Sequence, residues 1–260
     1  MRQPIIRRAL LAFAAIALAL NAHAHAEQKT AHVLAFYSTD VEYDHAIFAQ
    51  QAVHFFTDMA MRDHFDFSAT TRWDDLNSDR LKDVQLVLWL NDSPHTAPQQ
   101  AAFEHYMRNG GGWLGFHFAA YNDQDTHWPW LVDFIGGGVF YSNSWPPLPA
   151  LLDIEKSDAS TNPITHHLGL HLTAPANEWY TWLPSPRANK DVKVLLALDP
   201  SNYPLGLKDT LTSGDLPVVW TNTKYRMIYM NMGHGDKIFT SSDQNLLFED
   251  ALLWLLSRHK

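Results

Sequence analysis

The sequence predicts an α/β chain built on a doubly wound, mostly parallel sheet, with helices on both faces in a three-layer α/β/α arrangement. Three observations predict it. Near-continuous apolar runs such as Val84-Gln85-Leu86-Val87-Leu88-Trp89-Leu90 recur in the first half. Strands of that kind are covered on both faces, as in parallel sheets. Segments with helical spacing alternate with these runs, which calls for right-handed crossovers. Finally, no internal repeat, low-complexity run or linker divides the 260 residues.

The elements follow in order. His32 to Ser38 reads as a buried strand, and Thr39 to Asp44 as a polar loop. His45 to Met61 is a helix, with Ile47, Phe48, Ala52, Phe55, Phe56 and Met59 on its apolar side. Phe65 to Thr71 is a second strand. A loop through Asp74, Asp75 and Asn77 leads into a short helix near Leu76 to Leu81, and Val84 to Leu90 is the third strand. Ala97 to Arg108 is a helix closed by Gly110-Gly111-Gly112. Trp113 to Phe118 is the fourth strand. Trp128 to Ile135 reads as a short helix, and the runs Gly136-Gly137-Gly138 and Pro146-Pro147-Leu148-Pro149 as loops. Ala150 to Glu155, Val192 to Leu198, Leu216 to Asn222 and Met227 to Met232 read as further strands. Asp243 to Ser257 is a terminal helix.

The first 26 residues have the pattern of a secretory signal peptide. Arg2, Arg7 and Arg8 precede an uncharged, mostly apolar run from Ala9 to Leu20, and Ala22-His23-Ala24-His25-Ala26 offers two cleavage frames. The apolar run is shorter than the roughly 20 residues a spanning helix needs. The expected mature chain is a single domain over residues 27–260, exported and either periplasmic or secreted. Its roughly 235 residues suffice for one sizeable core. There is no cysteine, which excludes disulfides, thiol catalysis and thiolate metal ligands. Removing the three arginines takes the formal charge from −9 to −12, so a nucleic-acid partner is not expected. Ten Trp, 9 Tyr and 14 Phe supply a core and also suit a cleft for sugar rings.

Ligands of open parallel sheets bind beyond the carboxyl ends of the strands. That rule selects His45 after the first strand, Asn91 after the third and His117 after the fourth. From the second half it adds Glu178, Tyr180, Trp220 and His234, the last set between two glycines. Each has a purely structural alternative: a helix-opening histidine, a core histidine, a surface carboxylate, a core tryptophan or an ordinary turn.

Gly110-Gly111-Gly112-Trp113-Leu114-Gly115-Phe116-His117 resembles the glycine-rich signature of ThuA-like (trehalose-utilisation) proteins. Trp128-Pro129-Trp130, Asn177-Glu178-Trp179-Tyr180, Pro217-Val218-Val219-Trp220 and Gly233-His234 follow in that family's order, so the resemblance runs from about Ala31 to Leu256. One departure is Asn162-Pro163, where many relatives carry His-Pro, and that position is given no role. The family is similar in fold to class I glutamine amidotransferases, a flavodoxin-like architecture. Where those enzymes carry a G-x-C-x-G elbow, this chain reads Gly115-Phe116-His117-Phe118-Ala119. Imidazole cannot hold a glutamyl thioester, so glutaminase chemistry is excluded.

The resemblance implies action on a carbohydrate or keto-sugar. His117 and His234 would then serve as general base and acid, with Glu178 orienting a histidine or binding a hydroxyl. His45 and Asn91 would hold sugar oxygens, and Tyr180 or Trp220 would stack on the ring. The same residues admit a divalent metal, although no H-x-x-x-H or H-E-x-x-H spacing is present. The alternative class is a non-catalytic sugar-binding or interaction protein, and a homo-oligomer is compatible with the terminal helix and aromatic faces. No G-x-S-x-G elbow or phosphate-binding glycine loop points to a serine hydrolase or a nucleotide site.

Overall fold

The computed structural model describes residues 30–257, apart from 124–125, 137, 156–160 and 206–214. The leader read at residues 1–26 lies outside the described residues. In the first strand, β1 (His32–Phe36), alternate side chains enter opposite cores. Val33 and Ala35 join one apolar cluster, while Leu34 and Phe36 join the other. Strands β3 (Leu86–Trp89) and β4 (Gly112–Phe116) divide in the same way. Period-2 geometry with both faces apolar requires a cover on each side.

Helices α1 (Tyr43–Asp63) and α5 (Ser242–Ser257) supply one cover through Phe48, Phe56, Leu247 and Phe248. Helices α3 (Ala97–Arg108) and α4 (Pro129–Ile135) supply the other through Phe103 and Phe134. Between them comes the one-turn helix α2 (Ser78–Leu81). Thr96 starts α3 with a reciprocal cap, its side chain accepting from the Gln99 amide. The three layers are those the sequence predicts.

Among the described residues the main sheet has nine strands. They run in the order β2 (Asp66–Thr70), β1, β3, β4, β11 (Arg226–Met230), β10 (Pro217–Asn222), β9 (Val192–Leu198), β6 (Leu148–Ile154), β7 (His171–Asn177). The first five are mutually parallel. The last four extend the sheet through antiparallel pairs. A separate ribbon pairs β5 (Val139–Asn143) with β8 (Tyr180–Leu183).

Three strands were not legible beforehand: β5, β7 and β8. Strand β7 ends the sheet, is buried only at Leu172, Ala174 and Asn177, and contains Pro175. Proline is tolerated at such an edge and lowers the strand signal. The ribbon strands are short and only partly apolar. One boundary also moves: β4 stops at Phe116, and His117 opens a 3₁₀ turn (His117–Ala120) instead of ending the strand.

Candidate active site

The parallel strands β1, β3, β4 and β11 point their carboxyl ends at one region, and the chain's chemistry gathers there. After β1 the backbone delivers Glu42 and then Asp44 and His45 on the first turn of α1. After β3 it delivers Asn91. After β4 it delivers His117, which has φ +43°, a left-handed conformation rare for a side-chain-bearing residue. That turn swings the imidazole off the strand and into the cleft. After β11 it delivers Asn231, Gly233 and His234. The ribbon completes the set: its register sets Asn143 opposite Tyr180, and so next to Glu178.

Three imidazole rings meet. Their centroids lie 5.3 Å apart for His45 and His117, 4.9 Å for His45 and His234, and 5.5 Å for His117 and His234. Glu178 stands against them, with Oε2 3.3 Å from His117 Nε2 and 3.8 Å from His234 Nε2. Its other oxygen accepts from the Asn143 amide. Glu42 approaches from outside, 3.6 Å from His234 and 3.8 Å from His45. All three rings are buried, His117 completely.

The protonation pattern has clear causes. His117 Nδ1 faces the Asn231 carbonyl at 3.0 Å. A carbonyl only accepts, so Nδ1 carries the hydrogen and Nε2 presents its lone pair to Glu178. Burial pushes His117 below its ordinary value, against the opposing pull of Glu178. Burial, reinforced by the two neighbouring imidazoles, lowers His45 to about 3. For Glu178, burial works to raise the carboxyl. The neighbouring His117 and His234 and the Asn143 amide outweigh it and keep the carboxyl below its ordinary value. Burial thus disfavours a proton on His45 and His117, which stand beside an ionised carboxylate.

Asparagines that the sequence reading did not single out build the frame. Asn177 Oδ1 accepts from the Gly233 and His234 amides, both at 3.1 Å, while Nδ2 donates to the Asn231 carbonyl at 3.1 Å. Asn231 uses its side chain to grip both backbone groups of Tyr180. Gly233 has φ +151°, and a Cβ there would lie 2.7 Å from the Cβ of His117. Only glycine lets the two loops approach so closely. The cues in the sequence were the place of Asn177 at the head of the Asn177-Glu178-Trp179-Tyr180 motif and that of Asn231 three residues before His234.

Five of the expected residues thus line one centre: His45, His117, His234, Glu178 and Tyr180. The Tyr180 ring packs on His117 at 3.9 Å, so one of its faces is already covered. Asn91 belongs to the frame. Its side chain donates to the carbonyls of Ser38 and His45 and accepts from the Ser38 amide, so both its N–H groups are spent, and it is buried. Trp220 is corrected outright. It is fully buried, packs on Trp182 and Tyr229, and donates its indole hydrogen to the Ile135 carbonyl at 2.7 Å, so it cannot be a sugar platform.

A mixed α/β sheet whose parallel half carries the left-handed His117 directly after β4 has the amidotransferase-like fold. The sequence model of the ThuA family, described as trehalose utilisation, matches residues 32–255, and the chain belongs to that family. A crystal structure of a ThuA-like protein from Bacteroides uniformis is similar at 48% identity, with a TM-score of 0.84 over 92% of this chain and 97% of that one. A ThuA-like protein from Parabacteroides merdae shares the fold at 17% identity and a TM-score of 0.62, over 88% of this chain and 91% of that one. So does a candidate GMP synthase component from Thermoplasma acidophilum, at 9% identity and 0.55, over 89% and 96%. A search among proteins of curated function finds no match.

Proposed function

We propose that this chain acts on a carbohydrate, or on an oxidised keto form of one, by moving a proton at a hydroxyl or at the carbon beside a carbonyl. The observation that carries the reading is the gathering of the His45, His117 and His234 rings and the Glu178 carboxylate at the carboxyl ends of the parallel strands, where ligand atoms form two triples sharing His45: His45, His117 and Glu178, and Glu42, His45 and His234. Glu178 is the proton acceptor in this reading. It is ionised, held in place by Asn143, and has the most exposed side chain of the four. The C–H or O–H bond of the substrate breaks, its proton passes to the Glu178 carboxylate, and the electron pair stays on the sugar. The imidazoles flank that event and supply hydrogen bonds to sugar oxygens. The role first assigned to Trp220 passes to Tyr43 and Trp145, which are 74% and 60% exposed. Tyr43 sits between Glu42 and Asp44, and Trp145 lies two residues beyond Asn143. Exposed aromatic faces of this kind suit the apolar side of a sugar ring.

We further propose that the protein works outside the cytoplasm, in the periplasm or secreted, on the strength of the leader pattern at residues 1–26. No described helix is long and apolar enough to cross a membrane.

The test is a panel of disaccharides and 3-keto-sugars, read first by thermal unfolding and then by product analysis. A ligand at 100 times its dissociation constant stabilises the folded state by about 2.7 kcal/mol. One sugar should shift the unfolding of the wild type and be converted by it, and Glu178→Gln should bind that sugar without conversion. Saturable binding with no conversion of any sugar would make the protein a binder and not an enzyme. Normal turnover by Glu178→Gln would remove that residue from its role.

A further inference from the structure

We infer that His45, His117, His234 and Glu178 form a binding site for a divalent transition metal of the zinc class. The inference concerns the same cluster as the reading above but stands without any sugar. Three observations carry it, and the first is distance. Three imidazoles bonded at about 2.05 Å to one tetrahedral ion hold their ring centroids about 5.2 Å apart. The observed separations of 4.9, 5.3 and 5.5 Å bracket that value. Ligand atoms of such an ion stand about 3.3–3.5 Å from one another. Glu178 Oε2 stands 3.3 Å from His117 Nε2 and 3.8 Å from His234 Nε2.

The second observation is a set of unmet polar atoms. His45 Nε2 and both ring nitrogens of His234 are buried, and among the described residues they find no hydrogen-bond partner. The two residues are only 5% and 1% exposed. A buried polar atom left unpaired is costly, and one ring nitrogen from each of the two histidines is free to bind a common group, while His234 Nδ1 faces Asp44 at 3.8 Å. On His117, the Nδ1 bond to the Asn231 carbonyl turns a bare Nε2 lone pair towards a carboxylate. A lone pair facing an anion is repulsive until a cation lies between them.

The third is the surrounding shell. Metal-bound histidines commonly donate their other ring hydrogen to a carbonyl or carboxylate, and bound carboxylates are themselves hydrogen-bonded. His117 donates to Asn231, and Glu178 accepts from Asn143. Three nitrogens to one oxygen favour zinc, cobalt, nickel or copper over calcium or magnesium, which take oxygen ligands. With the ion bound, the imidazoles become its ligands. A sugar oxygen that displaces Glu178 from the fourth position would free that carboxylate to accept the proton.

The test uses the full chain purified without a histidine tag and stripped with a chelator. Zinc and cobalt binding are followed by calorimetry, by elemental analysis after gel filtration, and by the visible absorption of the cobalt form. One equivalent should bind, and His234→Gln and His117→Asn should each weaken binding by more than about 100-fold. If either variant unfolds, Glu178→Gln provides the same comparison through an altered cobalt spectrum. His167→Gln controls for the exposed group His166, His167 and Asp250, and should change nothing. Failure of the wild type to bind, or loss of the bound equivalent in His167→Gln alone, overturns the site. A chain that binds one ion yet converts no sugar keeps the metal site and sinks the substrate reading, whereas sugar turnover by a chain that binds no metal does the reverse.

Discussion

Substituting Asn177 by alanine removes the clamp between the end of β7 and the loop after β11. The side chain is fully buried, and its oxygen accepts two backbone hydrogens, from Gly233 and His234, at 3.1 Å each. Alanine leaves both amides buried without a partner. Each orphaned donor costs about 1–3 kcal/mol, so the pair costs about 4 kcal/mol at the middle of that range. For a chain of this size a loss of 1 kcal/mol lowers the midpoint by about 2–4 °C, which predicts a fall of about 8–16 °C. Scanning calorimetry at neutral pH reads the midpoint directly, and urea unfolding gives the free energy independently. The Asn231 carbonyl keeps its bond from His117, so the expected damage is centred on the His234 loop. A variant within about 1 kcal/mol of the wild type by both methods would refute the idea that this amide organises the site.

Other outcomes follow from the same geometry. Gly233→Ala sets a methyl group against the Cβ of His117 and should destabilise the fold and weaken ligand or metal binding together; normal binding would show that the two loops need not touch. Trp220→Phe should lower stability by about 1–3 kcal/mol in urea and leave sugar affinity alone, whereas lost affinity at unchanged stability would restore its role as a platform. Metal-stripped protein should lose stability in acid. His45 and His117 bind protons less readily folded than unfolded, so their contribution is complete above about pH 6.5 and falls away as the pH drops towards 3. Glu178 adds a loss of the same sign below its ordinary value of 4.5. Urea midpoints that rise between pH 7.5 and 4.5 would contradict the assignment. Incubation with glutamine should release no ammonia, because His117 occupies the elbow.

The parallel half was legible because its residues obey one rule at a time. Leu86 to Trp89 is apolar on both faces, and His45 to Met61 keeps helical spacing, so period alone locates them. The site residues were found through topology, since strand ends in such sheets collect ligands. What stayed hidden depends on pairing between distant segments. Strand β7 reads as an irregular stretch until β6 aligns with it, and Asn143 acquires meaning only when the ribbon register sets it beside Glu178. Trp220 failed for a related reason. A tryptophan within a strand fits both a cleft wall and a core, and its complete burial and bond to Ile135 decide for the core.

The position of β11 bears on how the polypeptide comes together. β4 pairs on one side with β3, which is close in sequence, but its other neighbour is β11, with Gly112 opposite Arg226 and Phe116 opposite Met230. During synthesis the amide edge of Gly112–Phe116 has no partner until more than a hundred further residues have emerged. An apolar, unpaired strand edge held open that long invites pairing with a neighbouring nascent chain. Truncations upstream of Arg226 should therefore accumulate as insoluble material, and slowing translation after residue 116 should lower the yield of folded protein.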